Sequence, residues 1–146
     1  MESKQKKIES FQDLLVWQKT RLLRKSISSF CSTLPKEEQF RLKDQLLRAS
    51  RSVTANIAEG YGRYHFQENI QYCRQARGSL YEIIDHLTCA LDEEYLSKEA
   101  FDAYHRSITS CIQLVNGYIN YLRKSKTDFV NEESIDYTIN EYTNNK

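Results

Sequence analysis

Apolar residues in this chain recur at helical spacing in four separate runs. Leu42, Leu46, Ala49, Val53 and Ile57 follow at intervals of four, three, four and four, which places them on one face of a 3.6-residue turn. Val16, Leu23, Ile27, Phe30 and Leu34 form an earlier stripe. Phe66, Ile70, Cys73, Leu80, Ile83, Leu87 and Leu91 form a later one, with Ala76 or Arg77 at its middle turn. The last run, Phe101, Tyr104, Ile108, Cys111, Val115, Tyr118 and Leu122, alternates strictly by three and four. A heptad of that kind packs close to parallel with its neighbours, at about 20°.

Local signals divide these runs into elements. Asp13, bracketed by Phe11 and Leu14/Leu15, reads as the cap of a first helix reaching about residue 33. Pro35, Lys36, Glu37 and Glu38 open the second, since proline suits a first turn and acids its positive end. Gly60 and Gly62 should stop it, because glycine reaches the left-handed conformation without steric cost. The third helix is expected over about 66–93. Ser97 caps the fourth, with Glu99 in its first turn and Lys124 and Lys126 at its negative end.

Short connections make consecutive helices antiparallel neighbours. The pattern therefore predicts an all-α, up-down-up-down four-helix bundle over 11–126. A flexible basic arm, 1–10, precedes it, and a polar tail, 127–146, follows. Ile135, Tyr137 and Ile139 alternate with polar residues in that tail, as a short strand on a partner's edge would. Disorder or loose packing on the bundle is the stronger reading there.

A length of 146 residues suits one domain with a real core. The net charge of +1 hides an asymmetry: residues 1–63 carry 13 Lys/Arg against 7 Asp/Glu, and residues 64–146 carry 8 against 13. That suits a basic surface for an anionic partner, or one end of the molecule docking on another copy. The opening MESKQKKIES lacks the apolar core of a signal peptide, and no run approaches the ~18 apolar residues of a membrane span. A soluble cytoplasmic protein is expected. Cys31, Cys73, Cys89 and Cys111 show no CxxC pairing and read as free thiols, mostly buried.

Reactive chemistry does not assemble from this sequence. A ferritin-like di-metal site needs carboxylates on all four walls. The third and fourth helices offer Glu82, His86, Asp102 and His105, but the first has no carboxylate after Asp13 and the second only Asp44 before Glu59. His86 and His105 should instead lie at similar heights, with Asp85 and Arg106 as a cross-helix ion pair. Nucleophile elbows, phosphate-binding glycine loops and His-Glu-x-x-His are missing from the sequence. Cys89 with His86 lacks an orienting third group. No enzyme activity, metal, cofactor or small-molecule substrate is expected.

Charge is more informative. Folding about Leu34–Lys36 and about Arg63–Tyr64 brings Lys19, Arg21, Arg48, Arg51, Arg74 and Arg77 to one height, as a basic belt around mid-bundle. Such a belt would grip RNA or DNA phosphates with little sequence preference. Tyr61, Tyr64, Tyr72 and Tyr81 could stack on unpaired bases. The alternative is that these arginines face carboxylates, Glu68, Glu82 and Asp85 among them, within one copy or between copies. The protein would then be a purely structural or protein-binding oligomer. Trp17 is either a seal on the bundle end or an anchor between subunits, with Tyr72 and Tyr81 as further interface candidates. Asn56 and Glu59, beside Gly60, read as a structural pair that sets how helices two and three meet.

Several strings resemble a known family. Phe11-Gln12-Asp13-Leu14 with Val16-Trp17-Gln18-Lys19, then Leu34-Pro35-Lys36-Glu37-Glu38, and above all Asn56-Ile57-Ala58-Glu59-Gly60 are similar to the bacterial proteins encoded in intervening sequences of 23S ribosomal RNA genes. Leu42, Gln45, Arg48-Ala49, Ser52-Val53, Ala76-Arg77-Gly78-Ser79-Leu80 and Tyr95-Leu96-Ser97 extend the match over about 11–125. Leu34 departs from the phenylalanine usual before the proline. The resemblance implies an up-down four-helix bundle that forms a ring-like homo-oligomer, a pentamer. It also implies kinship in fold with the accessory protein of diversity-generating retroelements, a basic barrel that contacts nucleic acid and a reverse transcriptase.

Overall fold

The structure, a computed structural model, describes residues 7–144, with side chains described as far as Thr127. Four helices follow in order: α1 (Leu15–Cys31), α2 (Leu42–Gly62), α3 (Phe66–Asp92) and α4 (Lys98–Asn144). Helices α1 and α3 each pack against both α2 and α4, while among the described residues the backbones of the diagonal pairs stay apart. The four therefore stand at the corners of a square, the up-down bundle that the apolar spacing predicts.

The stripes meet along the bundle axis. Ile27, Leu46, Ile57, Leu80, Ile83, Leu87 and Ile108 are fully buried, one or more from each helix. Each such side chain is stabilised by about 1.5–3 kcal/mol on leaving water. Ile112 and Ile119 are buried beside the expected heptad, because a corner helix covers two neighbours and needs a wider stripe than a coiled-coil seam. Thr20 is buried and donates its hydroxyl to the carbonyl of Val16 at 2.8 Å.

Three local expectations are corrected by the geometry. The first is the starting cap, which is Ser10 rather than Asp13. Ser10 Oγ accepts from the Gln12 amide at 3.2 Å, and Asp13 Oδ2 accepts from the Ser10 amide at 3.2 Å. This reciprocal box closes a 3-10 turn, Phe11–Asp13, ahead of α1.

The second correction is the α1–α2 connection. A further 3-10 turn, Lys36–Glu38, intervenes, and α2 begins only at Leu42, where Glu38 Oε2 accepts the Leu42 amide at 3.1 Å. The third is the glycine stop. Gly60 and Gly62 lie inside α2 with ordinary helical φ; the left-handed residues are Tyr64 (φ 54°) and Glu94 (φ 63°). What Gly60 provides is space. A Cβ there would stand 2.8 Å from both Asn69 Oδ1 and Tyr72 Cβ, so its missing side chain lets α2 and α3 approach closely.

Ser97 caps α4 as expected, its Oγ accepting from the Ala100 amide at 3.1 Å. The helix then continues past the expected end near 126 to Asn144, in place of a strand over 135–139. Neither glycine nor proline follows Gly117 to interrupt it. The packing expected of the tail lies outside the described residues, as does most of the 1–10 arm. Among the described residues, no helix is long and apolar enough to cross a membrane.

Candidate nucleic-acid interface

Carboxylates collect toward the two ends of the bundle. No Asp or Glu occurs over 14–36, 45–58, 69–81 or 103–127, and these stretches supply most of α1, mid-α2, the first half of α3 and the described surface of α4. The waist that remains carries Lys19, Arg21, Arg24, Lys25, Arg48, Arg51, Arg74 and Arg77. Their charge is largely unopposed among the described residues. Among the described residues, only Arg48 of this set forms an ion pair, with Asp44 at 3.0 Å, and 81% of its side chain is exposed. Such a surface pair contributes little to stability and exchanges readily for another anion.

The six residues expected to form one belt are not on one surface. The extra 3-10 turn slides α2 along α1, so that Arg24 Nη1 donates to Thr54 Oγ1 at 2.9 Å. Arg51 consequently stands beside Lys25 rather than Lys19. Lys19 lines a separate groove between α1 and α4. Arg21 lies over the Trp17 ring at 5.7 Å. On the opposite side of the square, Arg77 Nη1 donates to Asn116 Oδ1 on α4 at 2.7 Å. Arg74, one turn earlier and half-buried, has no ion pair or side-chain hydrogen bond among the described residues.

What the register does assemble is a polar cleft of about 370 Å³ between α1 and α2. Arg24, Lys25 and Arg51 share its walls with Ser28, Ser29 and Ser50. Three cations and several hydroxyl donors around one cleft are the groups that an anion site without a metal would use. Arg24 and Lys25 were outside the expected belt; their signal was the acid-free run of α1, legible only once the register was known.

The remaining candidates divide between support and surface. Asn56 Nδ2 donates to the Ser52 carbonyl at 2.8 Å, and Ser79 Oγ on α3 donates to Ser52 Oγ at 3.0 Å. Arg63 donates to Glu59 Oε1 at 3.1 Å and to the Tyr72 hydroxyl at 2.9 Å, and that hydroxyl donates to Glu59 Oε1 at 3.2 Å. With Gly60, these residues clamp α2 to α3, so Asn56, Glu59 and Tyr72 serve the fold. Trp17 is half-buried, edge-on to Phe11 at 5.2 Å. Tyr81 is exposed.

His86 pairs with Glu82 at 3.1 Å, and the Asp85–Arg106 ion pair is not formed among the described residues. Burial, then the charges of Asp85 and Asp92, push the Cys89 thiol up, the wrong direction for a nucleophile. Cys31, Cys73 and Cys111 are buried, as the stripes predicted. Burial alone drives Cys73 up to about 12, and Cys111 is raised to about 11 by burial that Lys19 partly opposes. No three His, Cys, Asp or Glu side chains group as a metal site among the described residues.

Along the α1–α4 face runs a groove of about 630 Å³. Leu15 and Leu22 line it while 55% and 57% exposed, and Lys19 is its one charged residue. This is an apolar surface that the single chain leaves open to water.

Comparison with known proteins agrees with the architecture. A crystal structure of a protein of unknown function from the S23 ribosomal protein family of Bacteroides thetaiotaomicron superposes with a TM-score of 0.68, at 23% identity, covering 75% of this chain and 98% of that one. At that identity the likeness carries the fold alone. No curated protein matches the chain. The family model of the 23S rRNA-intervening sequence protein matches residues 12–117. That match spans α1 to α3 and the first part of α4, and the chain belongs to the 23S rRNA-intervening sequence protein family.

Proposed function

We propose that this protein is a non-enzymatic, self-associating helical bundle that binds RNA or DNA by its phosphates, with little sequence preference. The observation that carries the reading is the acid-free waist, and within it the α1–α2 cleft where Arg24, Lys25 and Arg51 meet serine hydroxyls. Each cation that displaces a counterion adds a salt-sensitive increment of affinity and reads no bases. The family's ribosomal RNA gene context points the same way. A mobility assay on a structured RNA at low salt tests it: a shifted band is expected, and no shift at any protein concentration would sink the reading.

Self-association is the second part of the proposal, and the α1–α4 groove supports it. A second copy covering Leu15 and Leu22 would remove the apolar surface that the monomer exposes. The family resemblance supports a ring, a pentamer, as the form of that assembly. One feature favours a rival in which no nucleic acid takes part. Glu82, Asp85, Asp92, Glu93, Glu94, Glu99 and Asp102 gather toward one end of α3 and α4, and could neutralise the waist of a second copy. In that case Arg51→Glu dissociates the assembly in light scattering; on the reading preferred here the assembly persists.

A further inference from the structure

A different cleft, of about 520 Å³, lies at the end of the bundle where the chain enters and α2 passes into α3. Its volume sits within the roughly 300–1,000 Å³ of small-molecule sites. Rings make most of its wall: Tyr61, Tyr64 and Phe66 around the turn, Tyr118 and Tyr121 on α4. The Tyr118 and Tyr121 rings are nearly parallel, 13° apart with centroids at 6.2 Å. Tyr61 and Tyr64 are tilted at 53°, with centroids at 6.4 Å. Asn69 supplies a polar wall, its Nδ2 donating to the Tyr118 hydroxyl at 3.2 Å.

Two features exceed what packing the bundle requires. Tyr64 is held at φ 54°, where bulky L residues are strained, yet the residue is 89% exposed and gains little from burial. A glycine would make the same turn without strain. The hydroxyls of Tyr61, Tyr64 and Tyr121 and the imidazole of His65 also have no hydrogen-bond partner among the described residues, and all four residues line this cleft.

We infer that this cleft binds a nucleobase, presented by a free nucleotide or by an unpaired residue of a strand. Tyrosine faces stack on any base, and each ring loses only two torsions when ordered. The four polar groups suit the donor and acceptor edges of a base. An apolar side chain from a second copy would fill the volume but leave those groups unpaired. Charge permits a phosphate attached to the base: among the described residues no carboxylate lines the cleft. For a strand the inference rests on the phosphate-binding reading of the waist; for a free nucleotide it stands alone.

Two measurements on the full-length protein separate these cases. Saturation-transfer NMR with 5′-AMP should show transfer to the base protons, lost in Tyr64→Gly and in Tyr121→Ala; both side chains are exposed enough for the fold to survive. Anisotropy with an oligoadenylate and an abasic strand of equal length should favour the bases by about tenfold, within the range of base–aromatic stacking, and the two variants should lose that preference. Transfer from AMP without binding of either strand supports the cleft and overturns the waist reading. Equal affinity for the two strands, with no transfer from AMP, overturns the cleft and leaves the waist standing. Transfer that persists in both variants, or that is abolished because a second copy fills the cleft, also overturns it.

Discussion

Glycine in this chain has opposite roles at two positions one helix apart. At Gly60 a Cβ would collide with Asn69 and Tyr72, whereas at Gly78, inside α3, nothing stands within 4 Å of one. Gly60→Ala should therefore lower stability by about 1–3 kcal/mol, as overpacking does. Gly78→Ala should raise it by about 0.5–1 kcal/mol through helix propensity. Urea unfolding of both variants checks the pair, and a shift of equal sign would contradict the α2–α3 geometry. The thiols give a second residue-scale test. Cys73, raised from 9.0 to about 12 by burial, keeps its proton in the fold after the unfolded chain has lost its own. Its contribution is thus complete below pH 9 and is lost as pH rises toward 12. The urea midpoint should fall from pH 9 to pH 11, and less steeply in Cys73→Val; identical slopes would contradict burial of that thiol.

At the scale of elements, the periodicity made the helices legible and the turns did not. Every stripe residue of α2 from Leu42 to Ile57 is buried, because a 3.6-residue period is imposed by the core itself. Register depends instead on how many residues a connection consumes. Folding about Leu34–Lys36 leaves out the Lys36–Glu38 turn and the residues up to Leu42, and so misplaces Arg51 by about six residues, roughly 9 Å at 1.5 Å per residue. That slip is why the belt expected from Lys19 and Arg21 became a cleft walled by Arg24 and Lys25. The glycine stop failed for a related reason: sequence marks glycine as permissive, but whether it serves a left-handed turn or a close approach depends on what packs against it. The α1–α4 face makes its own prediction. Leu22→Asp places a charge in the apolar groove and should reduce the assembly to smaller species in light scattering while circular dichroism stays helical; an unchanged mass would move the self-contact elsewhere.

Taken whole, the molecule is a square of helices with its acids toward the ends and its cations at the waist. It offers a polyanion charge and hydroxyls, and no metal-ligand cluster forms among the described residues. Phosphates are the chemistry that this distribution of charge suits best. The most direct measurement is the salt dependence of RNA affinity for the wild type beside the Lys25→Glu, Arg51→Glu double variant. The account predicts that log affinity falls linearly with log salt, that the variant binds more weakly at every salt, and that its slope is shallower by about two, near one per lost phosphate contact. Superimposable lines for the two proteins would contradict it.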